Sequence, residues 1–294
     1  MPRAALLSIH ARVDSARPTI WEHPSLVQLW GPRFSAYVVA ANDIAVFTLG
    51  RLPRAARARA RAHDTASRLR AFLKGRRMPL GEAARGMGVQ HNSLRYAAQT
   101  GTVLMRWDGA RQPAIWNAPA PTMEPERARL ELLRRYFHIF APGTAATFAR
   151  WAGVPAAEAH ADLKACASEL TPVSTPAGEA WILAADEEAF RAPARPAAPA
   201  RLLPSGDTYY LLWGADRTLL VPDSKRRASL WTTRVWPGAL LVKGEIAGVW
   251  RRSAGEISIA AWRRFSAAER QAIEAEATSL PLPDLDAPIT LVWV

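Results

Sequence analysis

The 294-residue sequence predicts an α+β protein: tandem winged helix-turn-helix modules, the first one incomplete, followed by a small β-rich, barrel-like C-terminal domain. Three observations carry this. Leu80 to Trp116 holds two short helical patterns and then a hairpin. The same order of helices and hairpin returns between residues 122 and 190. Beyond an Ala- and Pro-rich stretch at 191–201 the chain reads as short strands.

Ala5, Leu6, Ile9 and Val13 share one helical face, so the chain opens in a helix. Trp21 to Trp30 reads as helix or loop. Arg33 to Ala40 and Ile44 to Leu49 read as two short strands rich in Tyr37, Val38, Val39, Val46 and Phe47, with Asn42-Asp43 between them. Residues 1–50 thus make the incomplete first module. Residues 51–77 hold ten Lys or Arg and one Asp. Within them Ala62, Ala66, Leu69 and Leu73 form an apolar stripe, and Arg54, Arg57, Arg61 and Arg68 fall together on another face. A helix of that kind either tracks a nucleic-acid backbone or presents a solvated face.

Leu80 to Met87 is a helix stopped by Gly88. Asn92 or Ser93 suits the N-cap of a second helix over Leu94 to Gln99, closed at Gly101. Val103 to Trp107, the turn Asp108-Gly109 and Pro113 to Trp116 complete a hairpin. This layout places a helix in a DNA major groove, with Asn92, Ser93, Arg95 and Tyr96 as the groove-facing candidates. It also fits a small α+β unit packed inside a larger fold. Arg33 and Arg106 complete the candidate DNA-binding set. The second module spans 51–121, ending in the linker Ala118-Pro119-Ala120-Pro121.

The third module spans 122–190. Glu126 to Phe140 is amphipathic, with Leu130, Leu133, Phe137 and Phe140 on one side. Thr144 to Trp151 and Ala156 to Leu170 are two helices parted at Gly153, and Thr171 to Ser174 with Ala180 to Leu183 is a further hairpin. In residues 202–294, strands are expected at Tyr209–Trp213, Leu219–Val221, Ala239–Val242, Ile246–Trp250, Ile257–Trp262 and Ile289–Trp293. Ser266 to Ser279 is a helix whose Ser266 and Glu269 stand at capping-box spacing.

The net charge of +12 is unevenly placed. Residues 1–201 carry 27 Lys or Arg against 16 Asp or Glu, while 202–294 carry 11 against 10. An excess concentrated in the first two thirds favours a phosphate-bearing partner, and double-stranded DNA fits the modules. Lysine occurs only as Lys74, Lys164, Lys225 and Lys243; with abundant Ala and Pro, this looks like a GC-rich coding bias and says little about bidentate contacts. The single cysteine, Cys166, excludes an intrachain disulfide and a cysteine zinc site, and the six histidines lack an H-E-x-x-H spacing. No metal or other cofactor is expected. No apolar run approaches the roughly 20 residues of a membrane span, and no secretory signal opens the chain, so a cytoplasmic protein without a membrane partner is expected. No heptad seam points to a dimer, so a monomer is expected.

Several short motifs in order resemble the AlkZ-like DNA glycosylase family along nearly the whole chain. They are Arg12-Val13, Trp30-Gly31-Pro32-Arg33, Arg135-Tyr136-Phe137, Phe148-Ala149-Arg150-Trp151-Ala152-Gly153, Arg201-Leu202-Leu203-Pro204-Ser205-Gly206-Asp207 and Gly248-Val249-Trp250-Arg251. The resemblance implies three tandem winged helices forming a concave scaffold, with a β-rich C-terminal part. It implies removal of alkylated purines and unhooking of interstrand crosslinks by cutting the N-glycosidic bond. An N7-alkylated purine is already cationic and leaves without strong acid help, so catalysis reduces to placing a water and stabilising an oxocarbenium-like state.

The family uses a Gln-x-Gln or Gln-x-Asp pair just before the stretch matching Pro2 to Leu6. Here Gln28, Gln90, Gln99, Gln112 and Gln271 stand alone, so no catalytic residue is assigned, and the expectation is that the true start lies upstream of Met1. Many members have Gly, Thr and His within the stretch matching Arg33 to Tyr37; here Tyr37 is left as a hydrogen-bond donor. His10 and His23 read as ordinary surface or core histidines, and Asp207 as structural. The readings in competition are a DNA-repair glycosylase, a non-catalytic winged-helix DNA-binding protein or regulator, and an interaction scaffold without nucleic acid.

Overall fold

The computed structural model describes residues 2–107, 112–193, 197–282 and 288–294; the expected turn Asp108-Gly109 lies outside the described residues. The chain opens in helix α1 (Pro2–His10) and divides into two compact units, the second of which includes nearly all of that helix. Trp21–Arg191 forms one, and Arg3–Ile20 joins Ala192–Val294 in the other.

In the first unit β1 (Leu26–Trp30) and β2 (Ala36–Ala40) form an antiparallel ribbon that sets Leu29 opposite Tyr37 and Trp30 opposite Ala36. The strand expected next is instead a helix, α2 (Ile44–Leu49). Ala45 through Leu49 are all buried, and a short run with no exposed face has no period by which sequence can tell helix from strand. Helix α3 (Ala56–Leu73) buries the expected stripe Ala62, Ala66, Leu69 and Leu73. Its last three members pack in one core with Leu94, Ala97 and Ala98.

Those residues lie on a 3₁₀ stretch, His91–Thr100, which begins earlier than expected. Its cap is Gln90, not Asn92 or Ser93, and the backbone N–H of Ser93 donates to the Gln90 carbonyl at 2.9 Å. Around it stand β3 (Met78–Pro79), α4 (Leu80–Gly86), β4 (Val103–Arg106) and β5 (Ala114–Asn117), with β5 central in a three-stranded sheet. Then come α5 (Pro125–Phe140), α6 (Ala145–Ala152), α7 (Ala156–Ala165), the hairpin β6 (Leu170–Thr175) and β7 (Gly178–Leu183), and α8 (Glu187–Arg191). The α5 core face is Leu132, Leu133, Tyr136 and Phe137, so the stripe sits slightly round the helix from the expected one. Thr144 and Thr147 close a reciprocal cap on α6.

In the second unit β8 (Ala200–Leu203) is followed by helices where strands were expected. Tyr209 and Tyr210 lie in a 3₁₀ turn, Thr208–Tyr210, and Leu219 and Leu220 end α9 (Ala215–Leu220). The physical reason is local capping: the Asp207 carboxylate accepts from the Tyr209 N–H at 2.9 Å, and Asp223 accepts from the Arg226 N–H at 2.9 Å to open α10 (Ser224–Leu230). The remaining elements are β9 (Gly238–Val242), β10 (Glu245–Ser253), β11 (Glu256–Ala261), α11 (Ala267–Thr278) and β12 (Thr290–Trp293). The strands run β12-β11-β10-β9-β8, with β12 parallel to β11. This is an open sheet, not the barrel-like one expected: β8 and β12 stand at opposite edges and do not pair. One face takes Tyr210, Val221 and Leu230; the other takes α11 through Ile273 and Ala277, and α1 through Leu7.

The expected first module, 1–50, is therefore split, because α1 is tied to the C-terminal sheet. Asp207, fully buried, receives both Arg12 guanidinium nitrogens at 2.9 and 2.7 Å and the Ser8 hydroxyl at 2.6 Å. Asp207→Ala removes the buried acceptor shared by Ser8, Arg12 and the Tyr209 N–H and is expected to cost about 2–4 kcal/mol in urea denaturation. Arg12→Ala, whose side chain is 44% exposed, costs less. Equal losses would show that Asp207 is not the anchor.

Candidate nucleic-acid interface

Between β1 and β2 the chain makes a tight turn. The Gly31 N–H donates to the Ser35 carbonyl at 2.9 Å, and the Phe34 N–H to the Gly31 carbonyl at 3.0 Å. Arg33 and Phe34 both take left-handed backbone conformations, at φ 55° and 57°. Each costs a side-chain-bearing residue about 1–2 kcal/mol, so the surroundings must hold them there. The Arg51 guanidinium lies 4.9 Å from the Phe34 ring centre, and the Tyr96 ring meets Phe34 edge-on at 5.2 Å. On Tyr96 in turn rests the Arg61 guanidinium, 4.4 Å from the ring centre. A cation–aromatic column, Arg51–Phe34–Tyr96–Arg61, thus runs from the interior to the surface of α3.

Two glycines admit this turn. A Cβ on Gly31 would lie 2.9 Å from the Tyr37 ring. Gly153 ends α6 at φ 73°, where a Cβ would sit 3.3 Å from the Arg33 backbone.

Arg51 is buried, with 2% of its surface exposed. Its Nε donates to the Ala152 carbonyl at 2.9 Å and its Nη1 to the Trp30 carbonyl at 3.4 Å, while its own carbonyl accepts from Gln99 Nε2 at 2.7 Å. Its Nη2 has no partner. Burial lowers its pKa to about 10, so it remains a cation at neutral pH. Burial pushes the Tyr37 phenol up to about 12, against the opposing pull of Arg51, Trp151 and Arg33. Tyr37 is therefore a neutral hydroxyl at neutral pH. The Trp151 indole N–H faces that hydroxyl, is itself buried, and makes no hydrogen bond of ordinary geometry.

The candidate DNA-binding residues fall into distinct situations. Arg33 is exposed at the turn, and Arg57 is exposed on α3. Arg61 and Tyr96 belong to the column. Arg54 precedes α3 and does not share its arginine face; its Nη2 pairs with Asp162 at 2.5 Å. Arg106 pairs with Glu22 at 2.5 Å and lies 4.6 Å from the Trp21 ring centre. Asn92 is exposed, Ser93 and Arg95 are half-buried, and the Arg95 Nε is buried without a partner. Three of the isolated glutamines serve the backbone: Gln28 accepts from the Trp107 N–H, Gln112 from the Gly81 N–H, and Gln99 donates to Arg51. His23 bonds the Ser25 hydroxyl at 2.7 Å, and His10 faces Ser279.

Sequence reasoning missed Arg51, Phe34 and Trp151. Arg51 was one of ten basic residues in its stretch, and nothing local separates it from the exposed ones. Among the described residues no helix is long and apolar enough to cross a membrane, and no group of His, Cys, Asp or Glu is placed to hold a metal ion.

A family model described as DNA glycosylase AlkZ-like matches residues 1–281. Among solved structures, the Streptomyces sahachiroi DNA glycosylase AlkZ has a similar fold, with a TM-score of 0.78 over 99% of this chain and 89% of that one at 17% identity. No curated protein sequence matches.

Phe34→Gly and Phe34→Ala remove the same ring contacts but differ in backbone freedom. The glycine variant is expected to be more stable than the alanine variant by about 1 kcal/mol in chemical denaturation. Equal stabilities would show that the left-handed conformation carries no strain.

Proposed function

Because the chain belongs to the AlkZ-like DNA glycosylase family, we propose that it binds duplex DNA through tandem winged-helix modules and hydrolyses the N-glycosidic bond of alkylated or crosslinked purines. The observation that carries this is the family match, which runs through both compact units. The module reading is supported by recurrence. Helices α3 and α4, the 3₁₀ stretch and the β3-β5-β4 sheet are followed by α5, α6, α7 and the β6–β7 hairpin.

The charge supports a phosphate partner. Helix α3 buries Ala62, Ala66, Leu69 and Leu73 and leaves Arg57, Arg61 and Arg68 outward, with Arg68 only loosely paired to Asp64 at 3.9 Å. Arg33, Arg57, Arg61, Asn92, Ser93, Arg95 and Tyr96 remain the proposed contacts, with Arg61 and Tyr96 working through the column. Arg54 and Arg106 already hold carboxylates and contribute least. A cationic purine needs little help to leave, so the protein's task is to hold the duplex and place water. The non-catalytic alternative is not favoured by the family match.

Duplex affinity is expected to fall steeply with salt, with little sequence preference. Arg57→Ala should weaken it and reduce the slope of log K against log salt by about one, as measured by fluorescence anisotropy. Affinity that stays flat with salt would remove the DNA reading. Base release from a duplex containing N7-methylguanine, followed by alkaline strand scission, tests the chemistry. Binding without release would restore the non-catalytic alternative.

A further inference from the structure

Beneath the 31–35 turn, buried donors outnumber the acceptors, and the neutral Tyr37 hydroxyl is the group that faces them. Arg51 Nη2 and Trp151 Nε1 are both buried and lack hydrogen-bond partners. The Tyr37 hydroxyl interacts with both, and the Phe47 ring stands between those of Tyr37, at 6.2 Å, and Trp151, at 6.4 Å. Among the described residues no carboxylate lies within ion-pairing distance of Arg51, whose charge is opposed chiefly by burial and supported by the Tyr37 phenol. Arg129, as buried as Arg51, also leaves one guanidinium nitrogen without a hydrogen-bond partner, but it has the Glu126 carboxylate at 3.8 Å. A buried cation with an orphan N–H is costly unless something answers it.

We propose that Tyr37, Arg51 and Trp151, with Arg33 at the exposed rim, form a binding site for one phosphate oxyanion of the DNA backbone. The proposal rests on the duplex-binding reading above and names the group that this site takes. The chemistry selects the anion. Two guanidiniums repel a cationic N7-alkylated purine and would oppose an oxocarbenium-like sugar, so neither belongs against them. A phosphate accepts several hydrogen bonds and supplies the missing negative charge. Arg33 and Ser35 are exposed on this side, and the Phe34 ring lies over the guanidinium, so the phosphate enters only if that ring swings aside. The left-handed pair at Arg33 and Phe34 holds that cover in place while keeping Arg33 at its edge.

Two measurements on the full chain test this. Thermal unfolding is followed while inorganic phosphate replaces chloride at constant ionic strength. Phosphate stabilises proteins generally, so the readout is the difference between wild type and variants. Tyr37→Phe and Arg51→Met should raise the apparent phosphate Kd at least tenfold. Duplex affinity should fall several-fold in both. The log K against log salt slope should drop by about one for Arg51→Met and stay unchanged for Tyr37→Phe, which removes a neutral donor. Wild-type values for both ligands in both variants would overturn the proposal. Lost phosphate binding with unchanged duplex affinity would assign the site to free phosphate and overturn the backbone assignment. If Arg51→Met does not fold, Tyr37→Phe decides alone, because it leaves every Arg51 hydrogen bond in place. A wild type that binds phosphate but no duplex would overturn the DNA reading and the backbone source together, while leaving the anion site standing.

Discussion

The buried guanidinium of Arg51 joins stretches of the first unit that are far apart in sequence. Its hydrogen bonds reach the carbonyl of Trp30 at the end of β1 and that of Ala152 at the end of α6, and its own carbonyl receives Gln99. Its flat face supports Phe34. Each contact alone contributes on the order of 1 kcal/mol, but together they fix where the 31–35 turn stands. Without that support, two consecutive side-chain-bearing residues would not stay in left-handed conformations. The exposed position of Arg33 follows from a charge that is itself buried.

The second unit is organised on the opposite principle, with buried carboxylates as the centres. Asp207 gathers Arg12, Ser8 and the Tyr209 backbone, while Glu276 receives the Leu202 N–H at 3.0 Å and Arg201 at 3.3 Å. These acids are spent internally, joining α1 and α11 to the sheet. The arginines they hold, Arg12 and Arg201, come from outside residues 202–294. In the first unit more of the arginines are left outward.

Much of the fold was legible because periodicity survives where one face is buried and the other wet. Helix α3 announced itself by Ala62, Ala66, Leu69 and Leu73, and α11 by the Ser266–Glu269 cap, which forms reciprocally. The Ile44–Leu49 run was illegible because it is buried all round. The Tyr209–Leu220 region misled because aromatic residues resemble strand formers, while two aspartate caps turned the backbone into helices. Of the site, Arg33, Tyr37, Arg61 and Tyr96 were in view. Arg51 and Trp151 were not, since burial of an arginine is decided by what packs over it and not by its neighbours in sequence. Arg54 looked like a member of the α3 face, yet lies ahead of the helix and is drawn off to Asp162.

The bond between Arg51 and Ala152 spans 101 residues. Contacts of such separation form late, because the loop they close must be paid for in entropy before they yield anything. The ribbon β1–β2 and the column of Phe34 and Tyr96 can be made by a chain only part of the way off the ribosome, but the turn cannot be locked until residue 152 has emerged and α6 has docked. A nascent or partly folded chain would therefore carry its arginines without their arrangement, and its affinity for polyanions would be unspecific until the first unit is whole.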